Sequence, residues 1–142
     1  FTTEAGKPAT VKNVDFTSDG FADLVARDGN GRLWLYRSDG DGNLMSRTVL
    51  GSSGWNVMNA IASPGDFDGD DKADIIAKDS VGSGQLWFYP GDGAGNLGAR
   101  VLIGSSGWNS FNILISPGDF NGDNLVDLVG VVKFSHRRLA DH

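Results

Sequence analysis

Residues 65–79 read GDFDGDDKADIIAKD, six aspartates among fifteen residues, with an apolar run in the same stretch. Carboxylates so crowded repel one another unless they take up protons or gather around a positive charge. With Asp66 as position 1, carboxylates fall at positions 3, 5 and 9 (Asp68, Asp70, Asp74), and Lys72 at position 7 offers its backbone carbonyl. Alternate oxygens on a tight loop suit Ca2+, which takes several oxygen ligands in a flexible geometry. The absence of nearby His or Cys argues against zinc and copper. The pattern recurs twice. An earlier copy has Asp15, Thr17, Asp19 and Asp23 with the carbonyl of Phe21, and a later one has Asp119, Asn121, Asp123 and Asp127 with the carbonyl of Leu125. These fifteen residues are the expected ligands, and Ca2+ the expected cofactor. The competing reading is that Asp and Asn make turns here and nothing more.

The loop is not an EF-hand. Glycine stands at position 6 only in the first copy (Gly20), where the others have Asp71 and Asn124. The bidentate Glu of position 12 is replaced by Ala26, Ala77 and Gly130. The ninth-position aspartate runs straight into a strand-like segment, DLVAR, DIIAK or DLVGV.

The elements that must position these loops also repeat. GSSGWN occurs at residues 51–56 and 104–109, and SPGDF at 63–67 and 116–120, each pair offset by 53. LWLY at residues 33–36 matches LWFY at 86–89 with the same offset. Each unit runs in one order: acidic loop, apolar strand, glycine turn, aromatic strand, glycine-rich turn, strand, GSSGWN loop, and a strand ending in SPGDF. Four short strands in roughly 50 residues is the period of a propeller blade. The expected fold is therefore all-β, with blades of four antiparallel strands. Units cover approximately residues 15–65, 66–118 and 119–131, two complete and one begun, followed by a non-repeating tail at 132–142. Propellers close with about 4–8 blades, so the ring is expected to be completed by further sequence or by homo-oligomerisation.

Composition narrows the partners. The chain has 142 residues, a formal charge of −6 and 17 Asp against one Glu (Glu4). That charge disfavours nucleic acid and anionic membranes, and no apolar run approaches a membrane span. Cysteine is absent, which removes disulfides, thiolate metal sites and cysteine catalysis. The only histidines, His136 and His142, lie in the tail, so no His-based triad recurs with the units. The clustered carboxylates read as ligands instead of poised acids, and no enzyme is expected.

The D-x-[DNT]-x-D-x-x-x-D loops, each with Phe at its second position and flowing into D-[LI]-[VI], resemble the FG-GAP/VCBS repeat. The resemblance covers about residues 11–130. It implies calcium loops like those of integrin α-chain propellers, and a secreted or extracellular setting. LWFYPGDGAGN and IGSSGWN are similar to a fungal β-propeller lectin that binds N-acetylglucosamine.

Trp55 and Trp108, followed by Asn56 and Asn109, are accordingly the main glycan candidates: a ring to stack on a sugar face, an amide to bond its hydroxyl or acetamido groups. The competing reading has this Trp plugging the groove between blades. Trp34 and Trp87 share a strand face with Tyr36 and Tyr89, and packing is the leading reading for these four. The functional expectation is a calcium-stabilised, lectin-like propeller. The alternative is a calcium-dependent interaction or architectural module, natural or designed to assemble into a ring.

Overall fold

The computed structural model describes residues 14–111, 113–118 and 127–131. Apart from two single 3-10 turns at Trp55–Val57 and Trp108–Ser110, the regular structure in them is all strand. The nine strands are β1 (Asp23–Arg27), β2 (Leu33–Ser38), β3 (Leu44–Gly51), β4 (Met58–Gly65), β5 (Asp74–Asp79), β6 (Leu86–Tyr89), β7 (Val101–Gly104), β8 (Ile113–Gly118) and β9 (Asp127–Val131). They make three antiparallel sheets, ordered β1-β2-β3, β4-β5-β6-β7 and β9-β8. This is the expected all-β, blade-like architecture. The middle sheet has its four strands; among the described residues the first shows three, the third two, and no ring is closed.

The sheets are out of phase with the sequence repeat. The strand ending in SPG, which closes each unit along the sequence, opens the following sheet. Gly65 of β4 lies opposite Asp74 of β5, and Gly118 of β8 opposite Asp127 of β9. In the first sheet the Asp23 N–H donates to the Val14 carbonyl at 3.0 Å, the same relation one repeat earlier. An acidic loop therefore spans the first two strand positions of a sheet.

β5 is buried along its whole length, with the first sheet packed on one face and residues of its own sheet and connections closing over the other. Its period-2 alternation divides the core. Ile75 and Ala77 join Phe16, Leu33, Leu35, Leu50, Trp55 and Met58 between the first two sheets. Ile76 joins Ala62 and Leu86, with Phe67, Phe88 and Trp108 packed against them. Burying one such aliphatic side chain contributes about 1.5–3 kcal/mol. β2 alternates in the same way, with Leu33 and Leu35 buried and Trp34 and Tyr36 half-buried. The outer strands β3 and β7 leave Leu44, Met45, Val49, Val101, Leu102 and Ile103 exposed. Among the described residues no helix is long and apolar enough to cross a membrane.

Candidate metal centres

Each of the two described acidic loops is wound around its first aspartate. Asp15 Oδ1 accepts the backbone N–H groups of Thr17 and Asp19 and the Thr17 hydroxyl at 3.2–3.3 Å, and its Oδ2 accepts the Gly20 N–H at 2.8 Å. Asp66 does the same for the N–H groups of Gly69, Asp70 and Asp71 at 2.7–3.0 Å. The fifth-position carboxylate then receives the N–H of the seventh residue: Asp19 from Phe21 at 2.9 Å, Asp70 from Lys72 at 3.0 Å. The ninth aspartate closes the loop by accepting the N–H of the second residue, Asp23 from Phe16 at 2.7 Å and Asp74 from Phe67 at 2.8 Å. Phe16 and Phe67 are thereby set into the two cores.

This winding needs two residues in the left-handed region per loop. The first loop uses Ser18 (φ 62°) and Gly20 (φ 88°), the second Gly69 (φ 85°) and Asp71 (φ 67°). Positions 4 and 6 are thus the same turn written with glycine in alternate places, which explains why glycine at position 6 is not constant.

Carboxylate oxygens of Asp66, Asp68, Asp70 and Asp74 lie within 4.8 Å of one another, as do those of Asp15, Asp19 and Asp23. At such separations each like-charged pair near a protein surface costs about 3–4 kcal/mol. Burial, then the neighbouring charges of Asp19 and Asp15, push Asp23 up to about 6 against the pull of the Phe16 N–H. Asp68 is also pushed up to about 6, by desolvation and then by Asp70 and Asp74. Asp74, fully buried, is raised as well, chiefly by desolvation. Its two oxygens are taken by the N–H groups of Phe67 and Gly91. Asp23 differs: its Oδ1 is buried and has no hydrogen-bond donor. An all-oxygen set carrying excess negative charge, with a buried acceptor left over, fits a hard divalent cation. Among the described residues, Arg37 lies 3.9 Å from Asp19 of the first cluster. Residues 119, 121, 123 and 125 of the third loop lie outside the described residues; Asp127 begins β9.

Other aspartates hold turns. Asp28 accepts the N–H groups of Asn30 and Arg32 and, at 2.8 Å, the indole N–H of Trp34. Asp79 repeats this with Val81, Gln85 and Trp87. Asp39 and Asp92 organise the glycine-rich turns, each accepting two backbone N–H groups and an Asn side-chain amide. Hydrogen bonding holds Asp28, Asp39 and Asp92 below the ordinary carboxylate range. The recurrence of Asp28 at Asp79 was the signal available in the sequence for the first role.

The aromatic candidates are largely occupied. Trp34 and Trp87 give their N–H groups to Asp28 and Asp79, and their ring faces lie under Arg47 and Arg100 at 3.8 and 3.7 Å. Trp55 is 6% exposed and packs at a tilt against Tyr89 of the second sheet, centroids 4.6 Å apart, so it is a plug between sheets and offers no open face for a sugar. Gly51 and Gly104 are required beneath Trp55 and Trp108, because a Cβ at either would strike the indole. Tyr36 is half-buried with its hydroxyl 3.4 Å from Arg47. Asn56 and Asn109 donate their amides to the carbonyls of Gly29 and Gly82. Their loops are held from beneath by a basic residue of β1 and of β5. Arg27 bonds the carbonyls of Trp55 and Met58, and Lys78, 2% exposed, reaches Asn109 Oδ1 at 3.5 Å. Among the described residues Trp108 is half-buried and rests on Phe111, ring centroids 5.4 Å apart.

Blade-like antiparallel sheets with wound acidic loops between their first strands define a propeller-type repeat module. The chain matches the FG-GAP-like repeat over residues 15–77 and 66–130, and it belongs to that family. No curated protein and no solved structure matches it.

Proposed function

We propose that the chain is a calcium-stabilised propeller module of an extracellular binding protein, in which the cation is structural. The observation that carries this reading is the buried, donor-less Oδ1 of Asp23 beside two further carboxylates. Calcium supplies the positive charge that these carboxylates lack. Asp15, Asp19 and Asp23, with Thr17 and the Phe21 carbonyl, would hold it in the first loop. Asp66, Asp68, Asp70 and Asp74, with the Lys72 carbonyl, would hold it in the second. Calcium is favoured over magnesium because a flexible loop of many oxygens meets its coordination demand, and millimolar extracellular calcium fills even weak sites. Calorimetric titration with Ca2+ and with Mg2+ tests the reading. Heat from calcium at two or more sites per chain is expected. No calcium binding by folded protein would overturn it.

A glycan as the module's ligand is a second reading, supported by the half-open ring of Trp108 beside exposed Asn109. It narrows the stacking residue to Trp108. A glycan array at millimolar calcium, repeated with chelator, tests it through binding to a narrow set such as terminal N-acetylglucosamine. Silence from folded protein leaves the interaction or architectural module as the function.

A further inference from the structure

Among the described residues the first acidic loop makes contacts that the second does not. Ser18 sits at φ 62°, a left-handed conformation, where the second loop has Gly69. An L residue other than Asp or Asn carries a cost in that conformation which its surroundings must offset. What holds Ser18 lies in another sheet: its hydroxyl donates to the Gly93 carbonyl at 2.8 Å, across 75 residues of sequence. Two residues further on, the Gly95 N–H donates to the Phe16 carbonyl at 2.9 Å. A Cβ on Gly95 would lie 3.6 Å from the Thr17 methyl, so the two segments are in van der Waals range. Gly93 and Gly95 belong to the β6–β7 connection, and both have positive φ (77° and 88°). The short segment from Phe16 to Gly20 thus faces two ways. The N–H groups of Thr17, Asp19 and Gly20 turn inward onto Asp15, while the Phe16 carbonyl and the Ser18 hydroxyl turn outward onto the second sheet. At the equivalent point of the second loop, Gly69 has no side chain and its Cβ position is open.

We propose that the first acidic loop is a latch between the first two sheets, with Ser18 as its bolt, so that ordering of this loop by calcium is transmitted to the β6–β7 connection. The transmission rests on the calcium reading above; the latch itself does not. Amide hydrogen exchange at Gly95, measured with calcium and with chelator in the wild type, Ser18→Gly and Ser18→Ala, tests both. Calcium is expected to slow exchange at Gly95 about tenfold in the wild type. Ser18→Gly is expected to exchange several-fold faster there even without calcium, although it relieves the strained φ. Ser18→Ala keeps the strain, loses the bond and is expected to exchange fastest. If Ser18 were only a strained turn residue, Ser18→Gly would protect Gly95 as well as or better than the wild type, and the latch would be overturned. Calcium bound by calorimetry, with Thr17, Asp19 and Gly20 slowed and Gly95 unchanged, would overturn the transmission while leaving the metal site standing. Absence of calcium binding would remove the metal reading and the transmission together, and the comparison of variants without calcium would still decide the latch.

Discussion

Trp55 and Trp108 stand in identical six-residue surroundings, GSSGWN, yet end in different environments. Among the described residues the difference lies in what faces each ring: Tyr89 of another sheet for Trp55, and Phe111, three residues on, for Trp108. No local pattern carries such a contact, so the sequence left stacking on sugar and plugging a groove as competing roles. Trp55→Ala is expected to lower unfolding free energy by about 3–5 kcal/mol, as for other buried large-to-small changes. Trp108→Ala should cost less, both read from urea midpoints; equal losses would contradict the plug. The carboxylates make a second residue-scale prediction, for protein kept free of calcium. Asp23 and Asp68 are raised to about 6, so folding favours their protonated forms and their contribution is lost as pH rises through about 6. Asp28, Asp39 and Asp92 are lowered, so their contribution is present above the ordinary carboxylate range and lost as pH falls through it. Melting temperature in chelator is therefore expected to peak between about pH 4 and 6. With calcium the peak should move above 6, and an unmoved peak would speak against the site.

The acidic loops were the most legible element, because nine residues with ligands at alternate positions form a local pattern that needs no tertiary partner. Less legible was the pair of left-handed positions, since glycine alternates between positions 4 and 6 and serine or aspartate fills the other. The strands were readable from alternation and from the repeat, whereas their pairing was not, because the strand that closes a unit joins the sheet after it. At this scale the sharpest prediction is a reversal of sign. Asp70→Asn removes one charge from the cluster while preserving its shape. It should raise the melting temperature in chelator, by relieving repulsion, and lower it in saturating calcium, by weakening the site. A shift in the same direction under both conditions would mean that the loop is a turn with no cation to hold.

For the whole molecule, chelation is expected to lower the melting temperature by several degrees, because a ligand bound only to the folded state stabilises it by mass action. An unchanged melting temperature in excess chelator would argue that the sheets hold without the cation. The exposed apolar residues of β3 and β7 and the half-open Trp108 predict self-association. Sedimentation should then give a mass above the 15.0 kDa of one chain, and a clean monomer at micromolar concentration would refute it. The offset between sheet and repeat also decides where such a chain can be divided or duplicated. A breakpoint at the conspicuous SPGDF boundary parts β4 from β5 and splits a hydrogen-bonded sheet. One placed in the Gly-Ser-Ser-Gly segment passes between sheets and moves each whole. Recombination within this kind of array should therefore leave its surviving junctions in the plainer loop, away from the motif by which the repeat is recognised.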